Sequence, residues 1–309
     1  MINQSQFSLS RSQFDPVAHT AKIVAAKRAL EQFHPAPLFD DPFSQRLAKE
    51  EVATLQTQWQ EAAQRKGLSL ADVIVKRTRY IAIRTHFIDN LLQSALSKSQ
   101  HYQIVILGAG LDTRAFRLSY PPNTTLYEVD QSAVLDYKAR VLQNVSPRCQ
   151  LRLVPGDLAD PSSAWVTELF NAGYQNCTPT VWVMEGVVMY LKPEEVHALL
   201  KILSSLSATE SILGMDCVKA GSQQAGRRAQ KRDRGRVIRH WQFGDDNPDD
   251  LLACYGWSAL VYQPQEIENG YGRYPQTIPV EAAISEPQDE RGVWLVQAQR
   301  LSPGLPLQL

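Results

Sequence analysis

Cysteine is scarce in this chain. Its 309 residues hold four, Cys149, Cys177, Cys217 and Cys254, far apart and without a C-x-x-C pair. That spacing argues against a disulfide-stapled scaffold and against structural zinc, and it predicts buried free thiols in a reducing compartment. No metal site is expected. Net charge is missing as well, because 32 lysines and arginines balance 32 aspartates and glutamates. No global field gathers nucleic acid or a membrane surface. No apolar run approaches the roughly 20 residues that cross a bilayer. The opening MINQSQFSLSRSQFD carries no apolar signal core. Internal repeats and low-complexity blocks are absent too. These absences leave the expectation of a cytoplasmic globular protein, long enough for one α/β domain with insertions.

What is present centres on Gln103 to Thr113, QIVILGAGLDT. The apolar, mostly β-branched run Ile104 to Leu107 stops at Gly108-Ala109-Gly110, as a buried parallel strand does on entering a glycine turn. Without Cβ atoms, Gly108 and Gly110 let the backbone bend and let a ligand lie against it. Thr125 to Val129 reads as the next strand and closes on Asp130, 20 residues after Gly110. An acid at that distance can accept both hydroxyls of a ribose. A dinucleotide fingerprint wants a third glycine where this chain has Thr113, with Asp112 just before it. A carboxylate there repels a pyrophosphate and welcomes a sulfonium or ammonium. The turn therefore points to S-adenosylmethionine, with nicotinamide cofactors second.

Helical spacing dominates the first hundred residues: Val17 to Phe33, a segment begun by Asp40-Asp41-Pro42, helices through Trp59, and a long helix from about Ser69 to Leu96. This predicts a helical cap over residues 1–100, preceding the domain at 101–309, with residues 1–16 loose. Strand and helix then alternate. Leu151 to Pro155, Thr180 to Met184 and Ser211 to Cys217 read as strands, with helices at Gln131 to Leu142, Ser163 to Ala172 and Pro193 to Ser207. Such alternation implies a parallel sheet with right-handed crossovers. Gly256 to Tyr262 and Gly292 to Arg300 look like two closing antiparallel edge strands. Between them and the sheet, the stretch 219–250 breaks the pattern and carries seven basic residues, among them Arg227, Arg232 and Arg239, against one acid within 226–240. A solvated helix or loop accounts for it, and so does a lid that closes on an anionic or carrier-bound substrate. Nucleic acid does not, because the stacking aromatics are missing.

In open α/β sheets ligands bind outside the carboxyl ends of the strands. Four such ends here are glycine-rich or acidic: Gly108 to Asp112, Asp130, Asp157 and Glu185. Any one acid could merely cap the following helix. Four in succession point to a shared ligand.

The set LFDDP (Leu38 to Pro42), RTRY (Arg77 to Tyr80), VILGAGLDTRAFRL (Val105 to Leu118), EVDQ (Glu128 to Gln131), GDL (Gly156 to Leu158) and EGVVMYL (Glu185 to Leu191) resembles the leucine carboxyl methyltransferase family. It is closer to the bacterial branch of S-adenosylmethionine-dependent O-methyltransferases than to the eukaryotic protein-phosphatase methyltransferases, and the six motifs stand in order over about residues 17–218. The resemblance implies an α/β, class I (Rossmann-like) methyltransferase with a seven-stranded, mostly parallel sheet, an N-terminal helical extension and a helical lid insertion. It implies that Arg77 holds the cofactor's carboxylate, with Arg79 and Arg84 as neighbours able to do so. The turn would be Gly108, Ala109 and Gly110, and the ribose would lie on Asp130 beside Gln131, with Glu128 as fallback. Adenine would meet Asp157 and the Leu158 backbone, the methionine ammonium Glu185, and the methyl-transfer channel Tyr190. A hydroxyl acceptor needs a base, for which His19, His86, His197 and His240 are candidates, His240 foremost. The expected activity is methyl transfer from S-adenosyl-L-methionine to oxygen on a small molecule, a secondary metabolite of polyketide or peptide origin. Carboxyl methylation of a protein C-terminus is the alternative, and a nicotinamide-dependent oxidoreductase a more distant one.

Overall fold

In the computed structural model, which describes residues 16–98, 103–221, 241–274 and 292–302, seven strands pair into one sheet. They are β1 (Gln103–Leu107), β2 (Thr125–Asp130), β3 (Gln150–Pro155), β4 (Thr180–Met184), β5 (Ile212–Val218), β6 (Trp257–Tyr262) and β7 (Val293–Arg300), in the order β3-β2-β1-β4-β5-β7-β6. The first five run parallel. Only β7 runs against its neighbours, β5 on one side and β6 on the other. The closing pair is thus antiparallel as its sequence predicts, but β7 is slotted inside β6, an order that chain sequence does not reveal.

The pleat explains why the central strands are apolar throughout. Ile104 and Ile106 of β1 point into one core with Val181 and Val183 of β4, while Val105, Leu107, Trp182 and Met184 point into the other. The second core is closed by α7 (Ala164–Asn171) and α8 (Pro193–Leu206), and the first by the helices that precede β1. Those helices are α1 (Pro16–Glu31), α2 (Pro42–Leu47), α3 (Lys49–Lys66) and α4 (Leu70–Lys98). The short α5 (Arg114–Arg117) and α6 (Ser132–Val141) carry the chain from β1 to β2 and from β2 to β3.

Helix α4 seats the N-terminal helices on the sheet. It lies across β5, where Gly214 lets it come close: a Cβ there would stand 3.0 Å from Ile88 Cδ1 and 3.1 Å from Leu91 Cδ1. Helix α2 starts on Asp41, whose carboxylate accepts from the Ser44 N–H at 3.1 Å, with Pro42 at the first turn. The basic stretch 226–240, most of the expected lid and residues 1–15 lie outside the described residues.

Candidate active site

The carboxyl ends of β1 to β5 open onto one hollow of about 460 Å³, bounded on its far side by α1 and the first half of α4. Gly108 turns the chain out of β1 with φ +61°, and a Cβ there would lie 2.7 Å from Val187 Cγ2. A side chain at this position therefore meets both strain and a clash. The turn is held by the acid at the tip of β2. Asp130 Oδ2 accepts from the Gly110 N–H at 2.6 Å and Oδ1 from the Gln131 N–H at 2.7 Å. Burial pushes the Asp130 carboxyl upward, against the pull of those two N–H groups and Lys138.

Glu185, at the end of β4, sits between two guanidinium groups, Arg84 Nε at 2.9 Å and Arg114 Nη2 at 2.7 Å. Burial alone would raise its carboxyl. The charges of Arg114, Arg84 and Arg28 override burial and bring it down to about 2. Arg114 also pairs with Asp112, and with Asp89 at 2.7 Å. Asp112 is thus engaged by its own neighbour, so the contrast between pyrophosphate and sulfonium drawn from its charge acts only through a neutralised pair. One strand further, Asp216 of β5 accepts from Arg84 Nη1 at 3.0 Å, the Tyr80 hydroxyl at 2.6 Å and the Gly186 N–H at 2.6 Å. The strand tips are tied to α4 by these bonds.

On the N-terminal side, Arg28 of α1 lines the hollow and donates through Nε to Asp41 at 3.0 Å. Asp41 is fully buried and also accepts from Thr113 Oγ1 at 2.8 Å. Burial alone would raise the Asp41 carboxyl, but Arg28, Arg117 and the Ser44 and Thr113 hydroxyls hold it below its ordinary range. The LFDDP stretch therefore joins α1, α2 and the glycine turn.

Nine of the residues singled out in the sequence line this hollow: Gly108, Ala109 and Gly110 in the turn, Asp130, Gln131, Asp157, Leu158 and Glu185 at the other tips, and Tyr190 in a 3-10 turn. Asp157 is exposed, with Oδ1 accepting from the Ala159 N–H at 2.9 Å. Arg77 is not among them, which corrects the expectation drawn from RTRY. It is exposed on α4 with its guanidinium 5.6 Å from the Trp59 ring centroid. The α4 arginine that lines the hollow is Arg84. Seven residues separate the two, about 10 Å along a helix but nearly the same face, so periodicity shows the stripe and packing sets the height. Glu128 is no fallback for Asp130, being wholly buried against Lys138 rather than facing the hollow. His86 packs edge-on against Tyr271 and His197 is exposed beside Tyr255, both away from the hollow. The side chain of His19, and all of His240, lie outside the described residues. Sequence reading missed Asp216, although strand-end logic applies to it as to the other tips. It missed Arg28, which nothing local marks, and gave no role to Tyr80, although Tyr80 closes the RTRY motif.

The strand order and the tip-lined hollow define an α/β protein of the class I methyltransferase fold. Two solved structures share that fold over most of their length. A Thermobifida fusca crystal structure, named as a methyltransferase, aligns at TM-score 0.52 and 14% identity, covering 91% of this chain and 94% of its own. A Streptomyces avermitilis crystal structure aligns at TM-score 0.51 and 15% identity, covering 91% and 97%. The chain belongs to the leucine carboxyl methyltransferase family, whose model matches residues 21–204. A relative from Streptomyces avermitilis is 37% identical, over 87% of this chain and 93% of its own. One from Streptomyces coelicolor is 35% identical, over 84% and 89%. Both are named as S-adenosyl-L-methionine-dependent methyltransferases.

This chain is an S-adenosyl-L-methionine-dependent methyltransferase of that family, and its hollow suits the cofactor chemically. Five carboxylates (Asp112, Asp130, Asp157, Glu185 and Asp216) line it against three cations (Lys27, Arg28 and Arg84). Acids and cations side by side fit a nucleoside that carries a sulfonium, an ammonium and a carboxylate. The cofactor supplies a methyl carbon made electron-poor by its sulfonium.

Proposed function

We propose that this chain methylates an oxygen atom of a small molecule. Asp130 and Gln131 would hold the ribose, Asp157 and the Leu158 backbone the adenine, and Glu185 the ammonium. Arg84, not Arg77, would meet the cofactor's carboxylate. The observation that carries the reading is the extension of the hollow past the acidic tips into a region walled by Met189, Tyr190 and Trp241. A neutral leaving group asks little beyond alignment and exclusion of water, and α1 and α4 enclose that region. Tyr190 borders it, and burial raises its hydroxyl pKa. We take the acceptor to be of polyketide or peptide origin, free or carrier-bound, and the setting to be cytoplasmic natural-product biosynthesis. Among the described residues no helix is long and apolar enough to cross a membrane.

A second reading, methylation of a protein's C-terminal carboxylate, is favoured by the family's own description as leucine carboxyl methyltransferases. The two separate by product chemistry. Transfer of a labelled methyl group should give a base-stable ether on a hydroxyl compound. Label released as methanol by mild base would instead favour the carboxylate.

A further inference from the structure

Asp216 is a buried carboxylate joined to the acceptor region by Tyr80. Its side chain has no exposure. Oδ2 takes both Arg84 Nη1 and the Tyr80 hydroxyl, and Oδ1 takes the Gly186 N–H. Tyr80, on the inner face of α4, donates its proton to Asp216, and with Arg84 also at its oxygen one lone pair is left for another donor. Its ring joins a small apolar cluster with Met189, Val218, Val293, Tyr190 and Trp241, and also packs against the first main core. All six line the hollow.

We propose that this cluster is the acceptor subsite, that it takes an uncharged aromatic hydroxyl compound, and that Tyr80 relays the acceptor's proton to Asp216. This rests on the oxygen-methylation reading above and names the acceptor class. Three aromatic rings and three apolar side chains suit a flat apolar body. An anionic acceptor would face Glu185 and Asp216 across the region, and the nearby cation, Arg84, already serves both. A protonated amine gains nothing from Asp216, whose oxygens are covered. Burial and the adjoining Asp216 carboxylate raise the Tyr80 hydroxyl well above its ordinary pKa, opposed by Arg84. Tyr80 therefore acts as a relay and not as a standing phenolate.

The step balances. The acceptor oxygen bonds to the methyl carbon while the carbon–sulfur bond breaks and leaves its electron pair on sulfur. The acceptor's proton passes to the Tyr80 oxygen as Tyr80's own proton passes to Asp216 Oδ2. One positive charge on sulfur and one negative charge on Asp216 vanish together, so the buried region keeps its net charge. Tyr80 is catalytic in this scheme, and Asp216 acts through it.

The test uses the full chain and three probes, 2-naphthol, 2-naphthoate and 4-nitrophenol. Calorimetry in the presence of S-adenosylhomocysteine should find naphthol bound at least about tenfold more tightly than naphthoate. Tyr80→Phe should keep affinity for S-adenosylhomocysteine and naphthol within about threefold, since the ring remains. Labelled-methyl transfer to naphthol should fall about a hundredfold in that variant. With 4-nitrophenol, a far stronger acid than naphthol and still largely neutral at about pH 6, the fall should shrink to a few-fold, because its proton leaves more readily. Equal losses for both phenols would reduce Tyr80 to a packing role and overturn the relay. Naphthoate bound or methylated in preference to naphthol would overturn the acceptor class, as would failure to methylate any phenol. If aliphatic alcohols then give ethers, oxygen methylation stands without this subsite; if nothing gives an oxygen-methyl product, both readings fall.

Discussion

At the scale of single residues, the acids facing α4 form a chain of shared charges. Glu185 lies between Arg84 and Arg114, Asp216 takes Arg84 and Tyr80, and Asp112 and Asp89 take Arg114. The depressed carboxyl of Glu185 ties stability to pH with a definite sign. A folded-state value of about 2 against an ordinary 4.5 contributes stability above the ordinary value, and that stability is lost as pH falls from about 4.5 towards 2. The size is on the order of 3 kcal/mol as an upper bound. Denaturant melts of Glu185→Gln should therefore show a variant weaker than wild type near neutrality, with the gap narrowing through that acid window. A gap that stays constant with pH would mean that Glu185 is not ionised between its arginines. These pairings explain what the sequence hid. Strand-tip acids announce themselves by following apolar runs. The arginines that meet them come from helices whose height against the sheet is fixed only when Ile88 and Leu91 settle over Gly214. Arg77 and Arg84 share a stripe, and packing chooses between them.

At the scale of elements, Asp41 is the joint between the helical cap and the glycine turn. It caps α2 through Ser44, pairs with Arg28 of α1, and accepts from Thr113 just before α5. A cap alone is worth about 1 kcal/mol, whereas truncating one partner of a buried ion pair costs about 3 to 5 kcal/mol. Asp41→Ala should fall in the higher range in equilibrium unfolding. A loss near 1 kcal/mol would mean that Arg28 finds water or another partner, and that the cap and the turn are independent. The elements themselves were largely legible, since continuous apolar runs and 3.6-residue stripes are long-range signals. The placing of β7 between β5 and β6 was not, because both closing strands read alike and strand order is a property of the paired sheet.

At the scale of the molecule, the parallel half of the sheet gathers five strand tips on one edge, and the N-terminal helices lie across that edge and enclose the hollow between them. Glycine and acid at the tips were readable from the sequence alone as converging on one hollow. The enclosure was readable only as a requirement that the first hundred residues pack somewhere near the ligand. What the sequence could not state is which side chains the cap contributes, because Thr20 and Arg28 look locally like any others on amphipathic helices, and Arg84 stood as one of three candidate arginines. The measurement that bears most directly on the cofactor site is calorimetric titration of S-adenosylhomocysteine into the wild type and three variants. The wild type should bind. Asp130→Ala and Glu185→Ala should each lose about tenfold to a hundredfold in affinity, as expected for a charged hydrogen bond of about 1.5 to 3 kcal/mol, and Arg77→Ala should bind like the wild type. No heat with the wild type, or unchanged affinity in both acid variants, would contradict a cofactor site built from the strand tips.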